Sequence, residues 1–296
     1  MGGGSWTTQA YTNYSTSKGR TVSTSYINGV ATASLANSNY STQEFYKASR
    51  LDKALDPYKV MRECCDTEEH PETIPVIFGL DVTGSMGSSL ELVAKKLNEI
   101  MTRIYQEVKD VEFMIMGIGD LYCDNAPIQI SQFESDIRIA EQLEKVYFER
   151  GGGGNGYESY TAAWYMGSRH CKLDCWKRGK KGIIITLGDE PLNPYLPKAA
   201  LNAATGDSVE ADVETKNLYN EVIEKFDVYH LVVTDGGSSY QWHKRYIETS
   251  WTEYLDEEHL KYAKIDNLAE MVSEIITGHA TSNDVAMGGE LNTISW

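Results

Sequence analysis

Residues 76–87 read Val-Ile-Phe-Gly-Leu-Asp-Val-Thr-Gly-Ser-Met-Gly, an apolar run that ends in a small polar loop. Behind it Leu90, Val93, Ala94, Leu97, Ile100, Met101, Ile104, Tyr105 and Val108 recur at spacings of three and four residues. That period puts one apolar stripe on a helix, so the segment predicts a buried strand, a tight loop and a long helix. The loop offers a carboxylate and two hydroxyls at alternate positions, Asp81, Thr83 and Ser85. Oxygen alone, without thiol or imidazole, is the donor set that hard divalent cations such as Mg²⁺ or Mn²⁺ prefer. The plain alternative is a helix N-cap supplied by Ser85, Ser88 or Ser89.

Asp81-x-Thr83-x-Ser85, with the strand before it and the helix after it, resembles the D-x-[ST]-x-S loop of von Willebrand factor type A domains, the centre of their metal-ion-dependent adhesion site. The form Asp-Val-Thr-Gly-Ser-Met-Gly is similar to that of intracellular bacterial and phage members. The resemblance covers about residues 74–278. It implies a non-catalytic protein-binding module in which a partner's Asp or Glu completes the coordination of a bound Mg²⁺ or Mn²⁺. It also implies, by analogy with intracellular relatives, action beside an AAA+ ATPase of the MoxR type or in a phage, defence or stress system.

The rest of the chain fits an alternation of strand and helix. Strands are expected at 75–81, 111–118, 127–133, 182–187, 228–234 and 259–265. Helices are expected at 87–108, 136–147, about 158–170 and 267–277. Near-continuous apolar strands between helices mean a sheet covered on both faces. The expected fold is therefore α/β, a doubly wound, mostly parallel six-stranded sheet with a short antiparallel edge strand at 127–133. Residues 42–73 read as a helical lead-in, with Phe45, Ala48, Leu51 and Leu55 on one face up to Pro57 and a second short helix over 58–62. Residues 1–41 are a Ser/Thr/Tyr-rich arm with few large aliphatics. In it, Asn28-Gly29 between β-prone runs signals a hairpin that needs the domain or a neighbouring subunit to pack on. Residues 279–296 are expected to form a loose tail from which Leu291, Ile294 and Trp296 could dock.

In doubly wound sheets ligands bind beyond the carboxyl ends of the strands. Asp81, Asp189 and Asp235 each follow a predicted strand, so they should share that face. The family resemblance implies two further site loops. One precedes the helix at 158–170 and reads Arg150-Gly-Gly-Gly-Gly-Asn-Gly-Tyr-Glu158-Ser159-Tyr160-Thr161. The intracellular subgroup has Gly-Gly-Gly-Asp-x-x-Glu there, and Asn155 departs from its Asp, so the ligand is Glu158 or, failing it, Thr161 or Ser159. As an alternative, Glu158 caps the helix. The other loop, Thr186-Leu-Gly-Asp189-Glu190-Pro, offers Asp189, with Glu190 as substitute. Asp120 and Asp235 add charge behind the ligands or serve as turn residues. The glycine run lacks the Gly-Lys-[Ser/Thr] ending of a phosphate cradle.

Composition narrows the functions. A net charge of −16 disfavours a broad nucleic-acid surface. No apolar run is long enough for a membrane span, and the N-terminus lacks a secretory pattern, so a cytoplasmic location is expected. The five cysteines are odd in number and irregular in spacing, against a disulfide framework. His170-Cys171-x-x-x-Cys175 is at most half a zinc site. No Ser-His-Asp or H-E-x-x-H spacing is present, so an enzyme is not expected. A metal-dependent hydrolase using His170 or His230 remains one alternative. Another is a self-assembling structural protein, a homo-oligomer built through the N-terminal arm.

Overall fold

The structure is a computed structural model that describes residues 5–35, 42–149, 156–235 and 239–288. The chain opens with helix α1 (Thr8–Ser17), a hairpin of β1 (Val22–Ile27) and β2 (Val30–Leu35), one helical turn α2 (Thr42–Phe45) and β3 (Arg62–Cys64). Next come β4 (Ile74–Asp81), α3 (Gly87–Glu107), β5 (Val111–Ile118), β6 (Ile128–Glu134) and α4 (Arg138–Glu144). They are followed by α5 (Thr161–His170), β7 (Cys171–Leu173), β8 (Gly182–Gly188), β9 (Tyr195–Leu196), α6 (Lys198–Thr205), β10 (Val213–Glu214) and α7 (Thr215–Val222). The last elements are β11 (Phe226–Val233), α8 (Ser239–Thr252), β12 (Leu260–Ala263) and α9 (Leu268–Gly288).

Six strands form the main sheet in the order β12-β11-β8-β4-β5-β6. All neighbours run parallel except the pair β5–β6. This is the expected doubly wound, mostly parallel α/β sheet with an antiparallel edge strand. The two-residue period of a strand sorts its side chains between two cores. Val76, Phe78 and Leu80 of β4 join the core that includes residues of α3, α4 and α9. Ile77 joins the one that includes residues of α5, α6, α7 and α8. From β4 the chain winds first to β5 and later to β8 on the other side, so the order reverses between β4 and β8. A crevice at the carboxyl ends of those two strands is where such a fold binds ligands.

Three segments depart from the sequence reading. The helical lead-in is confined to Thr42–Phe45, and residues 46–61 contain no helix. Asp52 and Asp56 turn the chain by accepting from the amides of Ala54 and Tyr58 at 2.8 and 2.9 Å. The carbonyl of Leu55 then takes the Ile130 amide at 2.8 Å, and Arg62 donates to the Ile130 carbonyl at 2.8 Å. Satisfying the outer edge of β6 outweighs the helical spacing. Second, the C-terminal helix does not stop at 277 but runs to Gly288. His279 ties it down, with Nδ1 2.9 Å from Asp227 and Nε2 3.3 Å from the Lys181 carbonyl. The expected loose tail from 279 is therefore helical as far as 288, and Leu291, Ile294 and Trp296 lie outside the described residues. Third, the arm contains α1, capped by the Thr7 hydroxyl accepting from the Ala10 amide.

The expected hairpin is present, and it packs on the outer side of α3. Trp6, Tyr11, Ala33 and Leu35 are buried in the same core as the sheet. Asn98 and Thr102 of α3, polar and fully or nearly buried, face this layer. The Asn98 carbonyl oxygen accepts from Trp6 Nε1 at 2.8 Å and its amide nitrogen donates to Thr32 Oγ1 at 3.0 Å.

Candidate metal centre

The loop after β4 is built by its own short side chains. Asp81 Oδ1 accepts from the Thr83 amide at 2.9 Å and from Thr83 Oγ1 at 2.5 Å. This Asx-type turn leads into a short 3₁₀ turn over Gly84–Met86 and then into α3. Thr83 Oγ1 lies 3.4 Å from Ser85 Oγ, and Ser85 Oγ donates to Asp189 Oδ1 at 2.8 Å. Asp81, Thr83, Ser85 and Asp189 thus form one continuous chain of oxygens across the ends of β4 and β8. The N-cap positions of the turn and of α3 fall on Thr83 and Met86, neither with a side-chain cap, while Ser85 Oγ is engaged with Asp189.

Asp81 and Asp189 are both fully buried. Burial first, and then the Asp189 charge, push the Asp81 carboxyl up to about 7, against the hydrogen bonds from Thr83 and Tyr160. Burial raises Asp189 to about 6, opposed by the Ser85 hydrogen bond. Asp189 Oδ2 has no hydrogen-bond partner. A buried carboxylate oxygen left without donors favours a cation.

Glu158 stands at the same end of the sheet, 3% exposed, with Oε2 unpartnered. Burial raises it to about 11, and the charges of Asp81, Asp124, Asp120 and Glu190 add to that. It lies outside α5, which begins at Thr161 with Tyr160 at the cap position and no side-chain cap, so Glu158 does not cap the helix. Its backbone forms a single parallel bridge with Leu192. The glycines of this loop, 151–154, and Asn155 lie outside the described residues.

The remaining predicted residues are engaged elsewhere. Thr161 Oγ1 accepts from Asn193 Nδ2 at 2.6 Å, and its amide donates to Asn193 Oδ1 at 3.2 Å. Ser159 Oγ accepts from the Leu121 amide at 3.0 Å. Asp120 turns its own loop, accepting from the Tyr122 amide and the Cys123 thiol. Asp235 is exposed and accepts from the Ile265 amide at 2.8 Å, holding the entry to α9. Glu190 binds His243 Nδ1 at 2.7 Å. No group of three or more His, Cys, Asp or Glu among the described residues could hold a metal ion. The oxygen chain at Asp81 is of another composition, two carboxylates and two hydroxyls.

Sequence reasoning missed Tyr160, which it quoted only as part of the loop. Its hydroxyl donates to Asp81 Oδ2 at 2.7 Å and accepts from the Glu190 amide at 3.3 Å, joining two site loops. A Cβ on Gly188 would stand 1.9 Å from that oxygen, so glycine is required there for the tyrosine to reach Asp81. One tyrosine among 19 carries no signal in sequence. The two histidines considered as bases are bonded elsewhere through at least one ring nitrogen, and His230 Nε2 is buried without a partner. His230 is buried, bonds Thr186 Oγ1 at 2.8 Å and stacks on Trp251 at 3.7 Å. His170 sits between the Val60 carbonyl and Asp207.

No protein-family model and no curated protein matches the chain. Solved structures of similar fold include the pilus adhesin SpaC from Lactobacillus rhamnosus GG, at 12% identity and TM-score 0.46 over 76% of this chain and 31% of that one. The match thus spans less than a third of the adhesin. The vWF domain of the type V pili tip protein Mfa5 from Porphyromonas gingivalis is similar over 75% of this chain and 98% of that one, at 12% identity and TM-score 0.43. The conserved hypothetical protein BatB from Bacteroides thetaiotaomicron is similar over 70% and 99%, at 13% identity and TM-score 0.42.

Proposed function

We propose that this protein is a non-catalytic, von Willebrand A-type binding module that grips a protein partner through a divalent cation. Asp81, Thr83, Ser85 and Asp189 would hold Mg²⁺ or Mn²⁺, with Glu158 beside them. The metal supplies a local positive charge on an acidic surface, and a partner's Asp or Glu completes its coordination. The observation that carries this reading is the oxygen chain from Asp81 to Asp189 with Asp189 Oδ2 unpartnered. Two buried carboxylates at the positive end of α3 repel each other when ionised, and a dication relieves that repulsion. Mg²⁺ requires near-octahedral oxygen coordination and readily keeps waters, which a partner carboxylate can displace.

A non-catalytic role is supported by the engagement of His170 and His230 in packing. His243 is paired with Glu190. All five cysteines are free, as suits a reducing cytoplasm. No helix among the described residues is long and apolar enough to cross a membrane. An AAA+ ATPase of the MoxR type is the first partner to test by co-purification in Mg²⁺.

The direct test is a thermal melt in EDTA and then in Mg²⁺ or Mn²⁺. A ligand that binds only the folded state stabilises it by about 2.7 kcal/mol at a hundredfold excess over its Kd. Wild type should gain melting temperature with metal, and Asp81→Ala and Ser85→Ala should fold without that gain. An equal rise in all three would remove the site from the metal's binding. No rise in wild type at millimolar metal would remove the metal-dependent reading itself.

A further inference from the structure

Among the described residues nothing pairs with the outer edge of the N-terminal hairpin. Asn28 and Gly29 both have positive φ, 49° and 80°, so the two-residue turn is of the I′ type and Ile27–Val30 is a hydrogen-bonded pair. Pairs then alternate, so Ser25–Thr32 and Ser23–Ser34 exchange hydrogen bonds within the hairpin. Val22, Thr24 and Tyr26 aim their amides and carbonyls outward. None of these three outward pairs meets a partner among the described residues. Ser23 to Tyr26 are exposed, Tyr26 at 73%. Exposed edges are usually blunted by lysine, proline, a bulge or a covering segment. On the opposite edge of the hairpin the Thr8 hydroxyl of α1 donates to the Ala31 carbonyl at 2.9 Å. The edge of β6 is covered by Leu55 and Arg62. Among the described residues the β1 edge has no such cover.

Charge selects the occupant. Lys18 and Arg20 are the only charged side chains in residues 1–43, and none occurs from Thr21 to Gln43. The rest of the chain sets 25 cations against 43 carboxylates, a net charge of −18. The net charge therefore opposes association of two copies, and this neutral strand adds nothing to that repulsion. A partner of another kind would find no charge here to read.

We propose that β1 pairs antiparallel with β1 of a second copy about a two-fold axis at Thr24, joining two hairpins into a four-stranded sheet. The outward residues are symmetric about that axis. Thr24 meets Thr24, and Val22 meets Tyr26 in both directions, each exchanging both main-chain hydrogen bonds. Threonine pairs and aromatic–β-branched pairs are favourable cross-strand neighbours. The contact is isologous, so it closes as a dimer and does not extend into a fibre. It uses none of the residues assigned to the cation, so it stands independently of the proposed function.

Sedimentation of the full chain in EDTA tests the pairing. Wild type should move with rising concentration from the 33.1 kDa monomer to twice that mass. Raising NaCl from about 0.1 M to about 1 M shortens the screening length from about 10 to about 3 Å and should strengthen the dimer. Thr24→Lys alone and Thr24→Glu alone should remain monomeric, because each places like charges opposite one another. Mixed in equal amounts, the two variants should recover the dimer. Thr24 is exposed, so both variants should keep the wild-type melting temperature within a few degrees. A wild-type monomer at all concentrations, a dimer that persists in either variant alone, or a mixture that stays monomeric overturns the proposal.

Discussion

At the scale of single residues, the site is a set of acids that burial raises above the ordinary carboxylate range. Asp81 has an ordinary value of 3.8 and is raised to about 7 in the fold. Between those values the folded chain keeps a proton that the unfolded chain has released. Stability from this group is therefore present below the unfolded value and falls as pH rises toward the folded one. A cation competes with that proton for the same oxygens, so the metal-induced gain in melting temperature should be larger at about pH 8 than at about pH 5. Melts across that range with and without Mg²⁺ check it, and a gain that is flat with pH would count against Asp81 as the ligand. Tyr160 gives a second test, because its hydroxyl positions Asp81 and stands outside the proposed ligand set. Tyr160→Phe removes a hydrogen bond to a carboxylate, worth about 1.5–3 kcal/mol, and should lower the metal-free melting temperature. The gain on adding Mg²⁺ should persist. Its complete loss would give the hydroxyl a direct part in holding the metal.

At the scale of elements, α3 is the member on which the others are assembled. Its apolar stripe of Leu90, Val93, Leu97, Ile100 and Ile104 is buried in the sheet core. Its polar side at Asn98 and Thr102 is covered by the N-terminal layer. Asn98→Ala would leave Trp6 Nε1 without its partner, at about 1–3 kcal/mol if that buried group finds no water, while Thr32 Oγ1 loses one donor and keeps Thr102 Oγ1. Urea unfolding should show a lower midpoint with an unchanged slope. An unchanged midpoint would mean that the layer adds nothing to stability.

The same helix marks the limit of what was legible in sequence. Its sheet-facing stripe and the oxygen loop before it are local patterns, readable because a period of 3.6 and an alternation of two need only neighbouring residues. The alignment of Asp81 and Asp189 followed from fold class alone, since parallel strands bring their carboxyl ends to one edge. The cover over Asn98 comes from Trp6, 92 residues away, and Tyr160 reaches Asp81 across 79 residues. Such pairings leave no periodic trace. The helix expected from 42 to Pro57 stops at Phe45 for a related reason: its apolar spacing is real, but Leu55 bonds the open edge of β6 instead.

At the scale of the whole molecule, a net charge of −16 could imitate a metal site. Any divalent salt screens an acidic surface and raises stability without binding at one place. The two effects differ in what they depend on. Screening follows ionic strength and acts on the whole surface, so NaCl and MgCl₂ at matched ionic strength should raise the melting temperature of Asp81→Ala by the same amount. A built site responds to the ion's identity. In wild type, MgCl₂ should therefore exceed NaCl at matched ionic strength, and the excess should saturate with concentration as occupancy of one site does. Subtracting the Asp81→Ala curve from the wild-type curve isolates that excess. A difference that saturates assigns the stabilisation to the oxygen chain at β4 and β8. A difference near zero assigns it to the acidic surface, and Asp81 and Asp189 then stand as buried acids held by the hydrogen bonds of Tyr160 and Ser85 alone.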